Sequence, residues 1–255
     1  MKTEGIKFSD ALITLALICL VGILWEGVVK WQEIPAYILP APSKILDILI
    51  KNASMYSYAG LLTIGEAIAG LILGTITGLV AATLLGLWPR LEQAIMTLAI
   101  LIKSTPLVAI APLLTIWLGF GVLPKIIITA LLTFFPVLVN VLTGLQAADP
   151  AFVEIFHSWH ANRRDIYWHI RVPHAVPYLF AALKVSGPLA LIGSVVAEWT
   201  GASGGLGRIM WLAYTNLNLP YLFAAVFILA AAGVFLFSTI TWVETKVVFW
   251  EKSEQ

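Results

Sequence analysis

Long apolar stretches separated by short polar joints set the pattern of this chain. A helix needs about 20 residues to cross ~30 Å of hydrocarbon. The intervals between successive Asp, Glu, Lys and Arg give candidate spans near 10–30, 60–88, 93–118, 125–146, 176–200 and 220–244. Gly119-Phe120-Gly121-Val122-Leu123-Pro124 divides the third from the fourth, because glycine and proline there interrupt both helices. After the first span comes Leu39-Pro40-Ala41-Pro42-Ser43. Ser43 can cap a short helix with Ile45, Leu46, Leu49 and Ile50 on one face, an element that would lie on the membrane surface. The pattern therefore predicts an all-α membrane protein with six transmembrane helices. Its parts are 1–59, the first helix and an outer loop; 60–246, the core, with an inner loop at 147–175; and 247–255, a tail.

Composition agrees. Of 255 residues, 60% are apolar and 11% charged, against about 45–50% and ~25% in soluble domains. One core of this length cannot hide so much apolar surface, so a soluble enzyme and a disordered chain are excluded. A formal net charge of +1 lacks the basic surplus of a nucleic-acid binder. The single cysteine, Cys19, excludes an intrachain disulfide framework and a cysteine-based metal cluster.

An even number of spans puts both termini on one side. With the N-terminus inside, inner segments hold Lys2, Lys7, Arg90, Arg163, Arg164, Arg171, Lys246 and Lys252. Outer segments hold Lys30, Lys44, Lys51, Lys125 and Arg208. The excess favours cytoplasmic termini. Lys2 and Lys7 precede an apolar run, as in a signal peptide. No small-x-small site follows before Trp25-Glu26-Gly27, so a retained first helix is expected.

Inside the spans two features stand out. Gly70, Gly74, Gly78, Ala82 and Gly86 recur every four residues, a stripe that lets another helix approach closely in lipid. Charges there cost several kcal/mol unless paired or hydrated. Lys103 falls near the middle of the third span, Glu66 just inside the second and Glu198 near the outer end of the fifth. Pro106 and Pro112 free backbone carbonyls, so the third span should kink or break where it lines a cavity. Together these suggest a polar translocation path, with Lys103 meeting an anion or pairing with Glu66. Snorkelling or a structural ion pair is the competing use of such charges.

The 147–175 loop holds all four histidines: His157, His160, His169 and His174. Asp149 can cap a helix with Pro150 at its first position, and Phe152, Ile155, Phe156 and Trp159 then share one face. Asp165 can cap a second short helix through Ile170, stopping before Pro173. His157 and His160 could suit a metal, but no carboxylate or cysteine spacing completes a ligand set. A bland interfacial helix is a second use. A docking element for a cytosolic partner, with aromatic anchors and an arginine rim, fits the pattern best.

From Glu154 the loop resembles the coupling-helix motif of permease subunits in binding-protein-dependent ABC importers. That pattern reads Glu-Ala-Ala, three residues, Gly, nine residues, Ile-x-Leu-Pro. Glu154, Ile170, Val172 and Pro173 keep the spacing, whereas Ile155 and Phe156 replace the alanines and His160 the glycine. Lys103-Ser104-Thr105-Pro106, Ala111-Pro112-Leu113-Leu114 and Trp117-Leu118-Gly119-Phe120-Gly121 are similar to the third-span signature of the nitrate/sulfonate/taurine-type subfamily. So are Leu39-Pro40-Ala41-Pro42 to its first outer loop, and Ala197-Glu198 with Gly205-Leu206-Gly207 to its segment after span five. Pro173 through Lys184 most resembles members that import thiamine-precursor pyrimidines or riboflavin.

The resemblance implies a type I, MetI-like permease core and a place in a bacterial-type cytoplasmic (inner) membrane. It implies a path for a small organic or anionic solute. It implies three partners besides the bilayer: a dimer of ATP-binding subunits, an extracytoplasmic substrate-binding protein, and a second permease copy in a homodimer. Phe152, Glu154, Ile155, Phe156, Trp159, His160, Arg163, Arg164, Ile170, Val172 and Pro173 would form the coupling surface. The sequence agrees by omission, since it contains no Gly-x-x-x-x-Gly-Lys-Ser/Thr loop and no catalytic constellation. ATP and Mg would sit on the ATPase, with no cofactor in this chain. An ion-coupled carrier or channel is the alternative, but it usually needs inverted repeats and more intramembrane charge than is present.

Overall fold

The computed structural model describes residues 8–250, and these are helical throughout apart from turns. The long helices are α1 (Phe8–Trp31), α3 (Ala53–Leu87), α6 (Leu123–Gln146), α9 (Val172–Trp199) and α11 (Leu219–Val247). Shorter ones are α2 (Pro42–Lys51), α4 (Glu92–Ser104), α5 (Leu107–Leu118), α7 (Pro150–Ser158), α8 (Arg163–Ile166) and α10 (Leu206–Thr215). Among the described residues, five helices are long and apolar enough to cross a membrane, and a sixth span results if α4 and α5 count as one.

α4 and α5 meet at a 92° bend, so 93–118 is a broken span rather than a straight one. Pro106 explains the break. Proline pushes its predecessor out of the helical region, and Thr105 is extended at ψ 127°. Pro112, also expected to disturb the helix, stays inside α5.

The Cα positions form two compact units. One runs to Tyr58 and adds Ile209–Ile228; the other is Ala59–Arg208 with the residues from Leu229 onward. In the first, Trp25 lies 5.7 Å from the Phe223 ring and 6.1 Å from that of Phe227. Tyr56 donates its hydroxyl to the Tyr221 carbonyl at 2.9 Å. Ser43 does not cap α2. The helix starts one residue earlier, on Pro42, and Glu26 of α1 takes the capping role. Its carboxylate accepts from the Ser43 backbone N–H at 3.0 Å and from the Ser43 hydroxyl at 2.7 Å. Of α1's described side chains only Val29 is buried, as lipid-facing packing requires.

The second unit packs α3, α6 and α9 together. Its main core holds Ala82, Leu85, Val137, Leu138, Val141, Leu145, Tyr167 and Ala182. The small-residue stripe of α3 lies on α6. A methyl added at Gly70 would collide with Thr129, and one at Gly74 with Thr133. At Gly78 it would come within 2.9 Å of Val137, while Gly86 sits against Leu145 and Tyr167. α9 approaches α6 equally closely at Gly144, where an added Cβ would lie 2.8 Å from the Ala175 Cα.

Past α8 the helix does not stop before Pro173. A π-helical turn, Tyr167–Arg171, carries it into α9, and the Val172 N–H bonds to the Tyr167 carbonyl five residues back. In an α register the Pro173 ring would strike the carbonyl of His169, and the wider turn relieves that clash.

Filling the stripe should unpack α3 from α6. Gly74→Val drives bulk into Thr133 and toward the Ala130 carbonyl oxygen, 2.7 Å from the new Cβ; overpacking of this kind costs ~1–3 kcal/mol. We expect a lower unfolding midpoint for the detergent-solubilised protein. Gly65→Ala, whose added Cβ meets nothing within 4 Å, should leave the midpoint in place. Equal midpoints for the two variants would remove the stripe from the packing.

Candidate functional site

Two polar constellations lie in the second unit, one buried among the long helices and one in the 147–175 loop. The buried one starts with Glu66 on α3 and Lys125 in the first turn of α6, only 4% and 7% exposed. The Lys125 ammonium donates to Glu66 Oε1 at 2.5 Å. Glu66 therefore pairs with Lys125 and not with Lys103. Ser194 of α9 places its hydroxyl 3.2 Å from the Thr63 carbonyl and 3.4 Å from Glu66 Oε2.

Glu198, one turn further along α9, is 1% exposed. Its Oε1 accepts from the Thr63 hydroxyl at 2.7 Å and its Oε2 from the Gly207 N–H at 2.5 Å. Thr63 in turn accepts from the Leu206 N–H at 2.8 Å. The carboxylate thus holds the turn between α9 and α10 like a latch. Gly205 makes this possible. Its φ of +107° and the absence of a side chain let the backbone run directly over the Glu198 carboxylate. Arg208 closes the same turn by donating to the Ala202 carbonyl.

Residue spacing could have pointed to Thr63 and Ser194. Each lies three or four positions before its glutamate, on the same helix face. Lys125 was harder to place, because in the sequence it reads as a loop charge between two spans.

Lys103 ends in the last turn of α4, beside the break at Pro106. It is exposed, with its Nζ 4.5 Å from the centre of the Phe135 ring. Ser104, Thr105 and Pro106 are exposed as well. A polar, open break flanked by two helix ends is the kind of irregular backbone tolerated at membrane depth only where it lines a cavity or protein.

In the loop, Asp149 caps α7 by accepting from the Ala151 N–H at 2.8 Å. No residue of α7 is buried. Phe152 is 54% exposed and Trp159 72%, and Ile155 and Glu154 are exposed too. Phe156 is half-buried and packs its ring 5.9 Å from that of Trp159. Phe152 and Phe156 also wall a cavity of about 540 Å³ shared with His169, Pro173, Tyr178 and Trp250. α7 thus stands off the bundle on that side.

The helix ends in a left-handed turn. His160 has φ +58°, its N–H bonds to the His157 carbonyl, and the Ala161 N–H bonds to that of Phe156. That double closure is a Schellman cap, where glycine is the usual residue.

Asn162, rather than Asp165, caps α8. The Asp165 N–H donates to Asn162 Oδ1 at 2.9 Å, and Asp165 Oδ2 accepts from the Asn162 N–H at 3.2 Å. Arg163 and Arg164 are exposed, whereas Ile170 is buried and Val172 and Pro173 half-buried. The predicted coupling residues therefore divide. Those up to Arg164 face outward, except half-buried Phe156, and those from Ile170 anchor the loop to the bundle.

Residues 70–249 match the family described as the inner-membrane component of binding-protein-dependent transport systems. The formylaminopyrimidine transport permease protein ThiX of Halalkalibacterium halodurans is 31% identical over 91% of this chain and 93% of its own length. The riboflavin transport system permease protein RibX of Chloroflexus aurantiacus is 29% identical over 94% of this chain and 90% of its own. Among solved structures, an inward-facing MetNI methionine ABC transporter aligns with a TM-score of 0.69. It is 17% identical and covers 77% of this chain and 98% of that one.

Glu66→Gln should leave the Lys125 ammonium buried without its ion-pair partner, a loss of about 3–5 kcal/mol. Glu66→Leu combined with Lys125→Met should recover most of it, because two apolar groups need no partner. Thermal unfolding in detergent reads both, and a double variant no better than the single would show that the pair acts through something other than charge. His160→Gly should tighten the α7 cap by roughly 1 kcal/mol, the left-handed cost of a side chain. Slower amide exchange at Ala161 would report it; unchanged exchange would mean that the cap carries no strain.

Proposed function

This chain belongs to the family of inner-membrane components of binding-protein-dependent transport systems, and from that premise we propose how it couples and what it carries. It is an ABC importer permease of the MetI-like type. In our reading its α7 docks a separate cytosolic ATPase, and the break between α4 and α5 lines the path of a small, flat organic solute. The observation that carries the docking reading is the exposed apolar face of α7. Phe152, Ile155 and Trp159 are left without cover on a helix that buries nothing. Aromatic anchors of this kind, rimmed by Arg163 and Arg164, suit a protein interface.

The mechanism is alternating access. ATP and Mg bind on the ATPase dimer, and its closure pulls α7. The motion passes through Ile170, Val172 and Pro173 into α9 and the helices packed on it. The termini are cytoplasmic, a soluble binding protein delivers solute to the far face, and a second copy of this chain completes the path about a two-fold axis. Lys103 and Phe135 offer a cation and an aromatic face at the break, groups that suit a planar heterocycle. Formylaminopyrimidine and riboflavin, named for the relatives, are solutes of that shape. Glu66 and Glu198 are engaged with Lys125, Thr63 and backbone N–H groups. They serve the path by fixing the helices that flank it, and neither is left open for a coupling ion.

Replacing Phe152 or Trp159 by Ala should weaken ATPase docking by more than ~2 kcal/mol, roughly thirtyfold. The tagged chain, solubilised from membranes, should then lose its stoichiometric ATPase. Undiminished co-purification with both variants would sink the docking reading. Solute movement by the purified chain alone in liposomes would replace it with an ion-coupled carrier.

A further inference from the structure

We infer that the chain carries a binding site for an anionic phospholipid, formed by two cavities that meet at Tyr167. The first is about 350 Å³ and is lined by His157, Arg163 and Arg171 together with Val153 of α7 and the end of α3. No carboxylate lines it, and among the described residues neither arginine forms an ion pair. The second is about 240 Å³ and runs between Leu79, Val141, Val176 and Leu179, with the exposed Trp168 among its walls. Its one side-chain hydroxyl besides Tyr167's, that of Thr83, is bonded to the Tyr167 hydroxyl at 3.0 Å. Tyr167 itself is buried and borders both cavities.

A chamber walled by two arginines, set beside an apolar slot that shares Tyr167 as a wall, matches one kind of ligand, an amphiphile with an anionic head and a hydrocarbon tail. Guanidinium groups bind phosphate through paired N–H donors. The slot lies on faces of α3, α6 and α9, where an unfilled groove would forfeit packing on one side. Trp88 follows Leu87 of the first cavity, and Trp168 belongs to the second; both are exposed, as is Arg90. Tryptophan and basic residues concentrate where a bilayer meets water. A soluble phosphate, or acidic side chains of a partner protein, would occupy the first cavity and leave the second empty. The inference rests on the reading above that sets the 147–175 loop at the cytoplasmic membrane surface.

Native mass spectrometry of the delipidated full chain in detergent tests it, with added phosphatidylglycerol or phosphatidylcholine. We expect retention of phosphatidylglycerol and little of phosphatidylcholine. Arg171→Gln should weaken that retention about fivefold. Val176→Trp, which fills the slot and leaves charge alone, should weaken it comparably. Monodisperse elution establishes that both variants fold. Phe152→Ala and Trp159→Ala should hold the lipid normally, so loss of lipid and loss of ATPase are separable results. Equal retention of the two lipids would overturn the inference. So would displacement of the lipid by inorganic phosphate with Val176→Trp silent, which marks a free-anion site. Unchanged lipid retention in Arg171→Gln alongside loss of the ATPase would make the arginine a partner contact instead.

Discussion

Close backbone approach between α3 and α6 is the constraint on which the rest of this structure depends. In a bilayer no hydrophobic force draws apolar helices together, so contact must come from fit. Gly70, Gly74 and Gly78 remove the side chains that would hold α3 away, and α6 then lies directly on their backbone. Only at that separation can Lys125, in the first turn of α6, reach Glu66 on α3. From α9, Ser194 and Glu198 bond to Thr63 of α3 and complete the polar cluster. The charges do not assemble the bundle; the packing creates a place where they can be paired and dry.

Much of this was legible in the sequence. Charge-free runs located the spans, and the fourfold period of small residues marked the packing face of α3. The apolar period of α7 and its cap at Asp149 were readable because both depend on neighbours within one turn. What escaped depends on residues far apart in the chain. The cap on α2 comes from Glu26, on the preceding helix. Lys125 looked like a loop charge, and its partner lies 59 residues away. Pro173 looked like a stop, since local rules place a helix end before proline. The π turn that bypasses it buries Tyr167 and Ile170, and local rules do not show what those two pack on.

The loop departs from the resembled pattern in its letters while closing α7 with a turn that favours glycine. His160 stands where the resembled pattern has glycine, and it adopts the left-handed conformation that glycine would take. Histidine tolerates that conformation better than a β-branched residue would. At the alanine positions, Ile155 adds apolar area to the face left uncovered, while Phe156 turns its larger ring to the cavity behind the helix.

Arg163 to Trp199 is one helical rod of 37 residues, about 55 Å at 1.5 Å per residue. The Asn162–Asp165 box fixes one end, and Glu198 locks the other to the α10 turn. A tilt of about 5° would carry the far end by about 5 Å over that length. The two ends therefore cannot be set independently. Whatever binds at the loop and favours one tilt is favoured, by the same free energy, when the latch adopts the matching state. Reciprocity of this sort needs no dedicated signalling route between the two faces. It follows from a stiff element with a constraint at each end.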